Sequence, residues 1–506
     1  MIGFDSMEKD LILEWAAAGL LPNFKQLLER SSWGLIENPV GLVSGGTWSS
    51  FYTGVLPDRH GQYDAYDHFD TENYRYATYR KADVSFSPVW ELLDRGGKRT
   101  VVVDAPYSFL AENIKGIHVM DWGTHVRFYD RKPRTWPAAL AEDLEAKFGS
   151  DPLGTERGSP CDQEPPGTLA EYRAFRGKLL DRMERKAALS EHLMRSAEWD
   201  LFLTVFCETH CVGHHCWHIH DKSHLHHEEA IAEEIGDPVK DIYIGIDKAL
   251  GRLLSNVDAD TTVIAYCSFG IGPHYSGTDL LDQILLRLEG RGTETLKKRA
   301  TDLMRNVWRA TPLEVRKLLM PLRKDVWEPI YQNAVVPQRS TRRFFEMKTN
   351  NATGGVRINL VGREAHGIVR PGSDYDEVCD KLSADLREML NADTGEPLVN
   401  EVIRTDRIYH GERLNRLPDL LVQWNRSHPI HRASSPKIGL VENRHLSVRT
   451  GDHKALGLFL ATGPTVRQGK LSGSVSVVDF APTFAALLGV KLPRIDGAPI
   501  ASVVQS

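Results

Sequence analysis

A dense group of histidines and cysteines follows one apolar run of the sequence. The run at residues 200–206 leads directly into the segment CETHCVGH at residues 207–214. His210 and His214 are four residues apart, so both imidazoles lie on one face of a helix. Neutral imidazoles at this spacing are a common way to hold Zn²⁺. The spacing predicts a metal site, with a solvated histidine-rich helix as the alternative, because five further histidines follow between His218 and His227.

Three other positions carry residue types suited to the same chemistry. Asp5 follows the apolar run at residues 2–4, where a carboxylate suits a divalent cation, and a helix N-cap is the alternative. His453 precedes another apolar run and is either a third imidazole ligand or a structural histidine. Ser44 opens the segment SGGTWSS, whose small residues lead into a helix. Backbone N–H groups at such a helix start attract a phosphoryl oxygen, so Ser44 is a candidate nucleophile or simply part of a capped helix start.

Short apolar runs predict the elements that position these residues. The runs alternate with helical or polar segments, a pattern typical of a mainly parallel sheet covered by helices on both faces. Ligands of such α/β sheets bind outside the carboxyl ends of the strands, which is where these candidates lie in the sequence. The predicted strands are residues 2–4, 100–104, 200–206, 262–266, 356–360, 419–424 and 456–461.

Motifs spread over nearly the whole chain are similar to those of a known enzyme family. In chain order they are IGFD (2–5), LPNF (21–24), TGVLPDRHG (53–61), RINL (357–360), PDL (418–420), GDH (451–453), GP (463–464), VDFAPT (478–483) and DG (496–497). Together they resemble the type I phosphodiesterase and nucleotide pyrophosphatase branch of the alkaline phosphatase superfamily. The resemblance implies an alkaline phosphatase-like α/β core, which we assign to residues 1–290 and 333–506. Residues 291–332, rich in Lys, Arg, Leu and Trp without strand signals, predict a helical cap insertion.

The resemblance also implies roles for individual residues. In this family two metal ions, usually zinc, flank a Thr or Ser nucleophile that attacks phosphorus, and the match places this nucleophile at Ser44. Asp5 matches a ligand of the metal that activates the nucleophile, and His214 and His453 match ligands of the other metal. His210 stands where the family has a carboxylate.

A second departure from the family pattern affects the expected metal content. The family motif Ser-Asp-His-Gly reads CSFG at residues 267–270, and Phe269 has no lone pair while Ser268 is a poor ligand unless deprotonated. Two divalent cations roughly 3.5–4 Å apart need anionic ligands, so the metal beside Ser44 is in question. His210, His214 and His453 instead match a catalytic Zn²⁺ with one open position. We expect one zinc or other divalent transition metal ion, or two, with four further candidate ligands: Cys207, Cys211, Cys267 and His274.

Composition and charge limit the partners and the compartment. The chain has 506 residues, a net charge of −6 and no long basic run, which argues against a nucleic acid polymer as partner. It opens without a signal-peptide pattern, shows no uncharged window of membrane-span length, and has six cysteines that form no disulfide framework. We therefore expect a cytoplasmic protein that acts on a small-molecule phosphate ester.

The leading hypothesis is a metal-dependent hydrolase of phosphoric esters with a phosphodiester or nucleotide-like substrate. Either Ser44 or a metal-bound water attacks phosphorus. The residues at 268 and 269 favour an alternative, a degenerate family member that binds a phosphorylated or sulfated ligand, or a protein partner, without turnover. A phosphotransferase that uses the same site is a third hypothesis.

Overall fold

The computed structural model describes most of the chain. The described residues are 1–43, 45–64, 67–125, 133–154, 166–292, 315, 338–349, 352–442 and 449–504. Their strands are β1 (Ile2–Phe4), β2 (Ser32–Glu37), β3 (Asp67–Phe69), β4 (Tyr76–Thr78), β5 (Thr100–Val103), β6 (Ile117–Met120), β7 (Arg134–Trp136), β8 (Leu201–Phe206), β9 (Val263–Cys267), β10 (Gly270–Pro273), β11 (Phe344–Met347), β12 (Thr353–Ile358), β13 (Leu390–Asn391), β14 (Val399–Arg404), β15 (Leu420–Trp424), β16 (Arg432–Ser435), β17 (Gly439–Glu442), β18 (Gly451–Lys454), β19 (Gly457–Thr462) and β20 (Gly469–Ser476). Their α-helices are α1 (Lys9–Ala17), α2 (Pro22–Arg30), α3 (Gly45–Thr53), α4 (Pro57–His60), α5 (Val89–Arg95), α6 (Leu140–Phe148), α7 (Leu169–Ser196), α8 (Glu208–His220), α9 (Glu229–Ile235), α10 (Pro238–Leu254), α11 (Thr278–Leu288), α12 (Ser373–Arg387) and α13 (Phe480–Leu487).

A nine-stranded sheet forms the centre of the fold, in the order β20-β2-β19-β9-β1-β8-β5-β6-β7. Five neighbouring pairs are parallel, whereas both pairs made by β19 and the β6–β7 pair are antiparallel. All residues of β1, β5, β8 and β9 are buried, as parallel strands covered on both faces require. The predicted α/β fold with a mainly parallel sheet is therefore confirmed.

Two apolar clusters cover the two faces of this sheet. On one face, Trp48 and Phe51 of α3 and Phe480 of α13 pack against alternate strand residues, among them Leu203 and Val205 of β8. On the other face, residues of α1, α2, α7, α8 and α10 form the second cluster with strand residues of opposite orientation. Because neighbouring strand residues point to opposite faces, one short strand anchors both layers. The layers hold α3 and α8 on opposite faces of the sheet, with both helices starting near its carboxyl edge.

Two of the predicted strands lie outside this sheet. The runs predicted at residues 356–360 and 419–424 correspond to β12 and β15, which pair with each other in a four-stranded antiparallel sheet of order β11-β12-β15-β14. Their apolar side chains pack on α11 and α12 in a cluster of their own. A short apolar run indicates a buried strand but not its partner, so the expectation that both join the parallel sheet was wrong.

The predicted helical cap at residues 291–332 falls, apart from residues 291, 292 and 315, outside the described residues. The boundaries of the core at 1–290 and 333–506 therefore stay a prediction. Among the described helices none is long and apolar enough to cross a membrane.

Candidate active site

The carboxyl edge of the central sheet brings distant parts of the sequence together. Phe4 at the end of β1 lies in register with Phe206 of β8 and with Cys267 of β9. The ladder continues beyond the strands, since the amide of Asp5 donates to the carbonyl of Phe206 at 2.9 Å. The residues that follow the three strands are Asp5, Cys207 and Ser268, and all are fully buried. The predicted position of the site at this edge thus follows directly from the strand register.

Three histidines converge next to this edge. α8 begins directly after β8, and its spacing places His210 and His214 one turn apart on the same face. His453 comes from β18. The Nε2 atom of His214 lies 3.3 Å from that of His210 and 3.2 Å from that of His453, and the last two atoms are 3.2 Å apart. The three predicted ligands therefore direct the same ring nitrogen at one point.

Close packing of β18 on α8 makes this convergence possible. A side chain at Gly451 would place its Cβ 2.2 Å from the carbonyl oxygen of Gly213, which no real contact allows. With glycine there, the amide of Thr450 donates to the carbonyl of His214 at 2.7 Å. The Nδ1 atom of His214 in turn lies 2.7 Å from the carbonyl oxygen of Gly451. This contact fixes a proton on Nδ1 and leaves the lone pair on Nε2.

The three imidazoles are neutral at physiological pH. Burial is the main cause that holds the pKa of His210 and of His214 well below the ordinary 6.5. Burial also lowers the pKa of His453 to about 4, although Asp452 opposes the shift. Nitrogen ligands of a tetrahedral zinc ion at about 2.0–2.1 Å lie roughly 3.3–3.4 Å from one another, close to the separations seen here. The donor set and its spacing therefore fit a divalent transition metal ion.

Asp5 lies apart from the three histidines and has its own surroundings. Its Oδ1 atom accepts hydrogen bonds from Nε1 of Trp48 at 2.7 Å and from Oγ of Ser268 at 3.0 Å. Burial raises the pKa of Asp5 to about 7, despite these two hydrogen bonds. The alternative role of Asp5 as a helix N-cap is wrong, because Glu8 occupies that position before α1.

A second group of candidate metal ligands surrounds Asp5. Ligand atoms of Asp5, His125 and Cys207 all lie within 4.8 Å of one another, and the three side chains are buried. Sequence reasoning missed His125, which lies in the loop after β6, the apolar run IHVM at residues 117–120. Recognising that run as a strand would have placed His125 near the same sheet edge.

The remaining candidates have other partners. Sγ of Cys211 lies 3.7 Å from a guanidinium nitrogen of Arg182, Cys267 is buried in the core between sheet and helices, and Nδ1 of His274 is 3.2 Å from Asp452. Within the described residues, none of the three belongs to either ligand group. Ser44 lies outside the described residues, although α3 begins at the next residue, Gly45.

Comparison with known proteins identifies the family. The model of the family described as type I phosphodiesterase / nucleotide pyrophosphatase matches residues 1–455. The chain belongs to this family. Members of the type I phosphodiesterase / nucleotide pyrophosphatase family are hydrolases, and membership supports hydrolase activity for this chain. Among curated proteins no sequence matches the chain significantly.

Solved structures support the fold of this family member. The murine ectonucleotide pyrophosphatase/phosphodiesterase 5 is 11% identical, with a TM-score of 0.50, and the match covers 98% of this chain and 96% of that one. An inactive variant of the murine protein in complex with AMP gives 11% identity, a TM-score of 0.51, and coverage of 98% and 97%. At this identity the likeness extends to the fold.

Two residues that depart from the type I phosphodiesterase pattern have structural roles here. Ser268, besides donating to Asp5, accepts a hydrogen bond of 3.2 Å from the amide of Ser6. The fully buried ring of Phe269 packs edge-on against His453 with ring centroids 4.7 Å apart. Ser268 therefore orients the carboxylate of Asp5, and Phe269 supports one imidazole of the three-histidine group.

Proposed function

We propose that the chain is a metal-dependent hydrolase of phosphoric esters, with its metal ion held by His210, His214 and His453 and with Ser44 as the nucleophile. The observation that carries the proposal is the convergence of the three Nε2 atoms within 3.3 Å of one another at the sheet edge. Three neutral imidazoles leave a position open for a substrate oxygen, which is the pattern of catalytic zinc sites. Membership in a phosphodiesterase family supports the same reaction class.

The start of α3 supports Ser44 as the attacking group. Trp48 in α3 donates to Asp5, so this end of the helix lies beside the sheet edge. The first residues of α3 are Gly45 and Gly46, and backbone amides at a helix start attract a phosphoryl oxygen. The hydroxyl of buried Thr47 has no hydrogen-bond partner among the described residues. These donors would hold a phosphoryl oxygen at the start of α3, the helix that Ser44 precedes in the sequence.

The reaction divides between two attacks on phosphorus. In the first, the Oγ atom of Ser44 loses its proton and forms a bond to phosphorus, and one alcohol of the diester leaves with a proton; in the second, water attacks the phosphoserine, releases the phosphate monoester and restores the hydroxyl. A divalent cation held by the histidines would offset charge on the phosphoryl oxygens. Nδ1 of His214 donates a hydrogen bond to the carbonyl of Gly451, which fixes the ring in its ligating orientation.

A nucleotide-type ester is the first natural substrate class to test. The family description names nucleotide pyrophosphatases, and the inactive variant of a fold relative was solved with AMP. The substrate of this chain is therefore proposed as a nucleotide-like or other phosphodiester. The three histidines would hold the metal ion and would not contact the alcohol portion of such a substrate. Specificity for this alcohol would therefore come from the surrounding loops.

The test is hydrolysis of bis(p-nitrophenyl) phosphate and of a nucleotide p-nitrophenyl ester by protein stripped with chelator and then reloaded with Zn²⁺. We expect turnover only after reloading. Tight binding of AMP by the reloaded protein without turnover of either ester would favour the degenerate binding protein instead. Transfer of the phosphoryl group to an added alcohol in place of water would favour the phosphotransferase.

A further inference from the structure

The family takes two ligands for its second metal ion from the end of β9, and this chain has Ser268 and Phe269 there. Ser268 uses its hydroxyl to orient Asp5, and Phe269 offers no lone pair. A second ion beside Asp5 therefore needs other ligands. The side of Asp5 that faces away from β9, toward β8 and β6, carries two residue types suited to this role, His125 and Cys207.

We infer that Asp5, His125 and Cys207 form a second metal site, in which a thiolate and an imidazole replace the two ligands lost from the end of β9. Carboxylate, imidazole and thiolate are all ligands of Zn²⁺, and three protein ligands leave one position open. Carboxylate and thiolate together carry two negative charges, which match a divalent cation. The three-histidine group has no anionic ligand, so the two sites differ in charge as well as in donor atoms.

Two buried polar atoms that face each other mark this site. Oδ2 of Asp5 and Nδ1 of His125 lie 3.1 Å apart, with relative side-chain exposures of 0% and 1%. Neither atom has a hydrogen-bond partner among the described residues. Buried polar atoms are almost always hydrogen-bonded, so two facing atoms that meet only in this close contact are both available to coordinate a cation. Oδ1 of Asp5 is fully engaged, which leaves Oδ2 for coordination.

The orientation of His125 suits a ligand. Its Nε2 atom lies 3.1 Å from the hydroxyl of Tyr107, and a proton donated to that hydroxyl leaves the lone pair on Nδ1, the atom that faces Asp5. In His214 the arrangement is reversed, because the proton on Nδ1 leaves the lone pair on Nε2. Cys207 lies on the same side of Asp5 as His125, because it follows β8, which pairs with β1 and lies between β1 and the strands β5 and β6.

A buried ion pair positions the loop that carries His125. Both oxygens of the Asp104 carboxylate accept backbone amides of this loop, from Trp122 at 2.9 Å and Gly123 at 2.8 Å. Nζ of Lys186 lies 2.8 Å from Asp104 and donates to the carbonyl of Gly123 at 2.7 Å. All of these side chains and amides are buried. Both members of the ion pair therefore hydrogen-bond to the loop and hold its backbone in place, as a rigid support for a metal ligand requires.

Cobalt titration tests the site without relying on turnover. The metal-free protein is titrated with Co²⁺ alone, and the absorption of the thiolate-to-cobalt charge transfer is followed in the near ultraviolet. Wild type is expected to bind two equivalents and to show this band. Cys207→Ser should lose the band and one equivalent, whereas His214→Ala should lose one equivalent and keep the band. Cys211→Ser, a buried cysteine one helical turn away, should keep both.

The second metal site rests on the proposed function only for the placement of its ion near a phosphoryl group. The titration measures metal binding and not hydrolysis, so its outcome is distinguishable from a failure of the proposed function. A wild-type protein that binds one equivalent without a thiolate band would overturn the second site, whatever its hydrolytic activity. A band that persists in Cys207→Ser would also overturn it. If Cys207→Ser does not fold, as judged by circular dichroism, His125→Asn provides the same comparison, with loss of one equivalent and of the band expected.

Discussion

The imidazole ring of His125 stacks on that of His210, with ring centroids 3.9 Å apart and the planes inclined by 30°. The two rings belong to different ligand groups, one with Asp5 and one with His214 and His453. The two groups are therefore in direct contact at the carboxyl edge of the sheet. The control variants in the predictions below therefore lie outside both groups.

His214→Ala should remove the metal of the three-histidine group and lower hydrolysis at least about a hundredfold, because even supporting residues of metal sites cost 10–100-fold. Metal content by mass spectrometry and the diester assay check this. His220→Ala is the control, since His220 lies on the same helix but pairs with Asp237 at 2.8 Å. Equal losses in both variants would mean that the whole helix, rather than His214, is responsible.

Ser44→Ala should abolish turnover of the diester while metal content and AMP binding stay unchanged. The variant removes the attacking oxygen but none of the proposed metal ligands. Pre-steady-state measurements on wild type with excess diester should show a burst of alcohol release, which a covalent intermediate produces when it is hydrolysed more slowly than it forms. Residual turnover of Ser44→Ala within tenfold of wild type would instead assign the attack to water.

Arg182→Ala should destabilise the protein by about 3–5 kcal/mol, because it leaves buried carboxylates without their partner. The guanidinium of Arg182 in α7 donates to Glu208 at the start of α8 at 2.7 Å and lies 3.6 Å from Asp151, and all three side chains are fully buried. Urea unfolding measures the change. Arg185→Ala on the same helix removes a partly exposed pair with Asp181 and should cost at most about 1 kcal/mol.

The stability of the metal-free protein should fall as the pH drops from about 6.5 to about 4. The pKa of buried His453 is about 4 in the folded protein against 6.5 for the ordinary imidazole, so the unfolded chain binds the extra proton in this range. A shift of this size corresponds to about 3 kcal/mol. Urea unfolding at several pH values in this range gives the free energy of unfolding, which should change less steeply with pH in His453→Gln than in wild type. An unchanged slope in that variant would contradict the assignment.

Sequence reasoning found the candidate ligands that follow recognisable strands or have regular helical spacing. Asp5 and the His210–His214 pair needed only the end of an apolar run and the period of a helix, and His453 needed the family motif. Each position depends on local structure that the residues themselves encode.

His125 could not be found in this way, for two physical reasons. β6 is a four-residue run that contains a buried histidine, His118, so its strand signal is weak. The course of the loop after β6 depends on the ion pair of Asp104 with Lys186, which are far apart in the sequence. The same limit applies to β12 and β15, because nothing within an apolar run identifies the sheet that the strand joins.

The most direct test of the central claim is the hydrolysis of bis(p-nitrophenyl) phosphate by wild type before and after removal of its metal, with His214→Ala measured alongside. The account predicts that wild type turns over the diester, loses activity on chelation and regains it with Zn²⁺, whereas His214→Ala stays inactive throughout. A folded, zinc-loaded wild type that hydrolyses neither this diester nor a nucleotide ester, or a chelated protein that keeps full activity, would contradict the account.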